Sequence, residues 1–310
     1  MNDIHARERL FTNIRARWQI YLLLLVPLAY LFVFAYGPMG GLVIAFKKYN
    51  FAKGIWGSDW VGLDNFRRFF SSYRFAPVLT NTLTLSLYSL AVTFPIPIIF
   101  ALLLNALPFP RYQKVIQTVT YIPYFISTVV MVGLIFQVLN NRNGLYGALG
   151  MFLNHVMPPD LLADGKYFKH IFVWSAVWQA TGYSSIIYFA SLANVDPTLH
   201  EAALVDGATR LQRVLYVDIP SILPTASIML ILAVGGIMNV AFEKTLLMQN
   251  SLNLNYSEVI STYVYKVGLA AGVNDFSLSA AIGMFNSVIN FVLLFLANWG
   301  SKKLNGSGIF

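Results

Sequence analysis

Residues 201–220 read Glu-Ala-Ala-Leu-Val-Asp-Gly-Ala-Thr-Arg-Leu-Gln-Arg-Val-Leu-Tyr-Val-Asp-Ile-Pro, and neither neighbouring stretch, 170–195 or 219–242, contains an Asp, Glu, Lys or Arg. A bilayer core needs about 20 apolar residues of helix. A polar, turn-containing segment between two stretches of that length leaves the hydrocarbon, where its backbone meets water or another protein. Four further intervals, 18–46, 75–110, 115–141 and 276–301, are equally free of formal charge. The chain of 310 residues has a mean hydropathy of +0.63 and only 11% charged residues, well below the roughly 25% of a soluble domain. One such interval is compatible with a buried helix of a soluble protein; six together predict an all-α membrane protein with six transmembrane helices.

Around these spans the sequence divides into a basic tail, 1–17, a six-span domain, 18–301, and a short tail, 302–310. Arg7, Arg9, Arg15 and Arg17 resemble the basic start of a signal peptide. The apolar run that follows is too long and lacks a small-residue cleavage site, so it reads as an anchored first span. Loops are expected at 47–74, 142–169 and 243–275, with a short turn around Pro108, Pro110, Arg111 and Lys114. Between Asn143 and Val156 apolar residues recur at helical spacing, which predicts an amphipathic helix at the membrane interface. Pro27, Pro95, Pro97 and Pro123 predict kinked spans. An even number of spans puts both termini on one side, which then carries 10 Lys/Arg in short segments against 11 in longer loops. The positive-inside rule leans toward cytoplasmic termini on that distribution.

Within 196–220, Asp196 followed by Pro197 is a favourable N-cap and first helical residue. The helix that starts there carries Glu201, Ala202 and Ala203. Asp206-Gly207 reads as a turn in which glycine permits positive φ. A second short helix is expected from about Thr209 to Tyr216, with Pro220 and Pro224 governing re-entry into the bilayer.

The segment resembles the EAA loop of permease subunits of binding-protein-dependent ABC importers. That family carries Glu-Ala-Ala, three residues, Gly, nine residues, then Ile-x-Leu-Pro. Gly207 follows Ala203 at the family spacing, Val217 and Ile219 replace Ile and Leu, and Pro220 takes the proline position. The similarity runs along the whole chain. Tyr36-Gly37-Pro38-Met39-Gly40-Gly41, Ala45-Phe46-Lys47, Val61-Gly62-Leu63-Asp64-Asn65-Phe66 and Asn81-Thr82 are similar to sugar-type permeases. Ser257-Glu258-Val259-Ile260, Thr262-Tyr263-Val264-Tyr265 and Ala281-Ile282-Gly283-Met284-Phe285-Asn286 are similar to the oligosaccharide and polysaccharide branch called LplB-like.

The resemblance implies a type I ABC importer permease fold in the bacterial cytoplasmic membrane, with the loop 196–220 and both termini cytoplasmic. It implies a second homologous permease subunit, two ATPase subunits that use ATP and Mg, and an extracellular or periplasmic solute-binding protein. ATPase coupling would fall to Glu201, Ala202, Ala203, Asp206, Gly207, Val217, Ile219 and Pro220. Glu201 would meet basic groups of the ATPase, and the short helix after Gly207 would enter an ATPase cleft. The substrate would be an oligosaccharide or polysaccharide fragment.

The residues themselves agree with a subunit driven from outside. No Gly-x4-Gly-Lys-Ser/Thr occurs, since the one Gly-Lys, Gly165-Lys166, is followed by Tyr167. Ion-driven carriers place ionisable groups inside their spans, and these spans hold none of formal charge. An ATP-independent channel or carrier is the competing class. Zero cysteines exclude disulfides and thiolate metal sites. His5, His155, His170 and His200 lack metal-ligand spacing, so no metal, no bound cofactor and no catalytic residue is expected. The net charge of +8 comes without aromatic-basic interleaving and suits anionic headgroups, not nucleic acid. A polar-aromatic path suits a sugar, whose hydroxyls want hydrogen bonds and whose C–H faces stack on rings. Candidates for that path are Trp178, Gln179, Tyr183, Asn239, Glu243 and Asn286, with Trp174 and Asn290 beside them. Packing between helices is the competing use of the same groups.

Overall fold

The computed structural model describes residues 16–305 other than Ala271 and Val273. The N-terminal arginines Arg7, Arg9 and Arg15 and residues 306–310 lie outside the described residues. The first span is one helical run, α1, Trp18–Phe46, and none of the residues in its most apolar window is buried. A helix apolar all round belongs in lipid or against other spans. The loop that follows pairs β1, Lys47–Lys48, with β2, Asp59–Trp60, antiparallel, a small exception to the all-helical expectation. It continues into α2, Asp64–Phe70. Buried Asn65 donates to the carbonyls of Ala45 and Lys47 at 2.9 and 3.0 Å, fastening the loop to the end of α1.

The second span, α3, Phe75–Asn105, fills the expected interval 75–110 except for its last five residues. It restarts at Phe94, where Pro95 and Pro97 open a new helical segment. The third interval departs from expectation. Instead of one kinked helix it forms two, α4, Pro110–Phe125, and α5, Thr128–Leu139, bent by 100°. Pro123 stands at the start of a tight 3-10 turn, Ile126 is extended, and Ser127 caps the new helix by accepting from Val130 N–H. A proline inside a helix bends it; a proline followed by a fresh N-cap ends it. A helix is present between Asn143 and Val156, as expected: α6, Leu145–Asn154, terminated by His155 at φ 54°.

The stretch expected to form the fourth span folds as α7, Gly165–Ser184, and α8, Ile186–Ala193. Lys166, Lys169, His170 and Gln179 keep α7 more polar than its neighbours. Among the described residues four helices are long and apolar enough to cross a bilayer, and five if the bent pair forms one span. After α9, Pro197–Val205, comes α10, Arg210–Gly235, a continuous helix of 26 residues, about 39 Å long. The expected separate helix from Thr209 to Tyr216 is therefore the first part of the fifth span. Val214–Asp218 forms a π turn at the join. Pro220 has no N–H to return to the Tyr216 carbonyl, and a widened turn accommodates that loss.

α10 also ends early, at Gly235-Gly236. Residues 236–241 are irregular before α11, Phe242–Met248. α12, Ile260–Gly268, and the last span, α13, Phe276–Asn305, complete the fold. Lys302 and Lys303 form the last turn of α13 instead of opening a tail, and positive charge suits a helix C-terminus.

Three buried clusters hold the spans together. Leu85, Met131, Ile135, Phe172, Val240 and Met248 join α3, α5, α7 and α11. Leu102, Tyr188, Leu192, Ile222 and Ala226 join the end of α3 to α8 and α10. Phe69, Val78, Met238, Ile260 and Ile282 join α2, α3, α12 and α13. Between helices in lipid the gain is close packing and hydrogen bonding, because lipid tails are as apolar as leucine. Gly182 shows how close that packing is: a Cβ there would collide with the Thr120 carbonyl of α4. On the loop side, Glu258 is almost fully buried between Arg74 at 3.3 Å and Lys266 at 3.0 Å. Asn81 donates to the carbonyls of Asn255 and Glu258.

Candidate functional site: the loop between the fourth and fifth spans

Local chemistry builds the loop from caps. Asp196 accepts from Thr198 N–H at 2.9 Å and Pro197 opens α9, as the sequence predicts. That backbone hydrogen bond holds the Asp196 carboxyl below its usual range. At the other end Ala208 N–H donates to the Ala203 carbonyl at 2.8 Å, and Gly207 N–H to that of Leu204 at 3.0 Å. This is the Schellman pattern, with Gly207 in the left-handed position at φ +78°. Two residues later Thr209 begins α10 with a capping box: its hydroxyl accepts from Gln212 N–H, and Gln212 Oε1 accepts from Thr209 N–H. The chain thus reverses between α9 and α10 by a fixed geometry.

No residue of α9 is buried. Glu201, Ala202, Asp206 and Gly207 are exposed, Ala203 is half-buried, and Leu199, Leu204, Val205, Leu211 and Tyr216 expose large apolar surface around them. Val205 is 89% exposed. Contiguous exposed apolar side chains of this kind mark a protein or membrane contact surface. The sequence reading named the turn and the Glu-Ala-Ala stretch but not Leu199, Leu204 and Val205. Their signal was three bulky apolar residues on a helix with too little apolar neighbourhood to bury them. Val217, Ile219 and Pro220 lie in or beside the π turn, and Pro220 is exposed while the other two are half-buried. The structure thus puts Glu201 through Gly207 on the open surface and makes Val217, Ile219 and Pro220 part of the base of the span.

Beneath α9 lies a cavity of about 540 Å³, bordered by Asn105, His200, Glu201, Arg210, Arg213 and Asp218. His200 Nε2 is 3.3 Å from Asp218 Oδ1, and the Asp218 side chain is only 6% exposed. The sequence reading singled out neither as a functional residue.

The path candidates do not gather in one place. Gln179 donates to the Ile126 carbonyl at 2.9 Å, the residue left extended where α4 gives way to α5. Tyr183 stacks on Tyr124 with ring centres 3.8 Å apart and planes within 5°. Both therefore gather at that break. Asn239 lies not inside a helix, as expected, but in the irregular stretch after α10, where Asn286 of α13 donates to its side-chain oxygen at 2.9 Å. Buried Asn286 Oδ1 has no hydrogen-bond partner, and neighbouring Asn290 accepts from Met238 N–H. Glu243 is exposed at the start of α11. Trp178 stands apart with Trp174 in an apolar groove of about 700 Å³ between α5 and α7, away from the Tyr124–Tyr183 stack. Non-helical backbone at membrane depth is tolerated where it lines a cavity or is buried in protein. The breaks at 126–127 and 236–241 are such backbone: Gln179 and Tyr183 of α7 face the first, and the second carries Asn239 against Asn286 of α13.

Comparison with known proteins defines the class. Residues 93–306 match the family described as binding-protein-dependent transport system inner membrane component. The chain belongs to that family and has the type I ABC importer permease fold. It is a multi-pass membrane transporter subunit, of a kind without an ATPase site of its own. It is 39% identical to Protein LplB of Bacillus subtilis (strain 168) over 96% of this chain and 92% of that protein. It is 38% identical to the polygalacturonan/rhamnogalacturonan transport system permease protein YteP of the same strain, over 98% and 94%. Among solved structures, a chain of a bacterial alginate ABC transporter, in complex with an alginate pentasaccharide-bound periplasmic protein, superposes with a TM-score of 0.88. Its identity is 34%, covering 97% of this chain and all of that one.

Proposed function

We propose that this chain is one of two permease subunits of an ATP-driven importer that moves an oligosaccharide or polysaccharide fragment across the cytoplasmic membrane. A solute-binding protein delivers the sugar, and two ATPase subunits bind ATP and Mg. The six-span count, with both termini and the loop 196–220 on the cytoplasmic side, belongs to the same proposal. The observation that carries it is the exposed α9–Gly207 turn, a rigidly capped, partly apolar surface standing between two spans. In this reading Glu201 and the apolar side chains of Leu199, Leu204 and Val205 contact the ATPase. The Gly207 turn and the first turns of α10 pass its movement to the fifth span. Relatives named for galacturonan and alginate support a carbohydrate longer than a monosaccharide. Gln179, Tyr183, Asn239 and Asn286 supply hydrogen-bonding and stacking groups for it.

Co-expression with the genes encoding its partners, purification and reconstitution into vesicles test the reading. Expected is a complex with ATPase activity, raised by binding protein loaded with one member of a panel of neutral and uronate oligosaccharides, with ATP-dependent uptake of that sugar. Uptake without nucleotide by the chain alone refutes it.

A further inference from the structure

We propose that the His200–Asp218 pair is the positioning link that fixes α9 on the fifth span and transmits movement between them. This rests on the reading of 196–220 as the coupling segment. α9 has little else to hold it. None of its residues is buried, and a cavity of about 540 Å³ lies beneath it. Its two ends are capped turns that set its direction without packing it against the core: the start at Asp196 and the glycine turn at Gly207. Among the described residues, the 3.3 Å contact between the His200 ring and the Asp218 carboxyl ties α9 to α10.

The position of Asp218 gives the link its leverage. It is 4% exposed, the last residue of the π turn, and lies beside Ile219 and Pro220. A force on α9 through His200 therefore acts on the one irregular turn of α10, where a helix deforms most readily. The other charged groups bordering the cavity do not substitute. Arg210 and Arg213 are on α10 itself, and Glu201 carries the same sign as Asp218. A partly buried pair is also less screened by salt than a surface pair. Removing His200 leaves Asp218 facing only Arg213 of its own helix, so α9 loses its tie to α10 over the cavity.

The test uses the complete reconstituted complex and compares H200Q, D218N and the exchanged pair H200D/D218H. Membrane insertion and recovery of the ATPase subunits are expected at the wild-type level in each, because Glu201 and the Gly207 turn are untouched. Sugar imported per ATP hydrolysed is expected to fall at least about fivefold in each single variant and to return to within about twofold in the exchanged pair. A ratio unchanged in H200Q, or an exchanged pair no better than the single variants, overturns the proposal. The underlying assignment is tested separately by G207V: if that variant retains its ATPase, the coupling-segment reading has failed whatever the ratio.

Discussion

Replacing Gly207 tests the coupling turn through its backbone alone. Its φ is +78°, and a Cβ built there meets nothing within 4 Å in this chain. A side chain thus costs conformational energy and no internal clash. Left-handed backbone costs an L-residue about 1–2 kcal/mol, with β-branched residues at the upper end and asparagine well below it. Gly207→Val is therefore expected to reduce the population of the Schellman turn, with its Ala208–Ala203 and Gly207–Leu204 hydrogen bonds, by about 5- to 30-fold. Gly207→Asn is expected to stay within about threefold of glycine. Affinity of the ATPase subunit for permease in vesicles should follow, since binding is weakened by the fraction of competent conformer. Membrane insertion and the yield of permease should not change. Equal affinity for valine and glycine refutes the conformational argument. Equal damage by asparagine and valine refutes it differently, by pointing to a side chain striking the partner.

Gly182→Ala places a Cβ against the Thr120 carbonyl and should destabilise the permease by about 1–3 kcal/mol, read as a lower unfolding temperature in detergent. Tyr183→Leu removes the stack on Tyr124, an interaction of about 0.5–1.5 kcal/mol. It should raise the KM for sugar uptake while leaving ATPase assembly intact, and an unchanged KM removes Tyr183 from the path. Lys244 is buried, donating to the Phe172 carbonyl and lying 4.8 Å from that ring. Lys244→Met should leave thermal stability equal or higher, because a buried charge exchanged for a side chain of similar volume relieves desolvation. A marked loss would show that the hydrogen bond to α7 outweighs that relief.

The sequence by itself determined the membrane character, the position of most spans and the glycine turn at 207. These depend on local facts: charge-free stretches of spanning length, Asp196-Pro197 as a helix start, and glycine at 207 where the chain must turn left-handed. The first span, at Trp18–Phe46, coincides with its interval because nothing but length and hydrophobicity was needed to define it. Tertiary structure decided what proline and polarity meant. Pro123 ends a helix instead of kinking it, since Ser127 caps a new one and Gln179 of α7 takes the Ile126 carbonyl. Asn239 lies beyond the fifth span's helix, where Asn290 of α13 accepts from the Met238 N–H and Asn286 donates to the Asn239 side chain. His200 and Asp218 are eighteen residues apart in sequence. They meet only because the Gly207 turn reverses the chain and the π turn aims Asp218 under α9. Periodicity and composition describe what one segment prefers. Which segment satisfies another's polar groups is settled only when the helices pack.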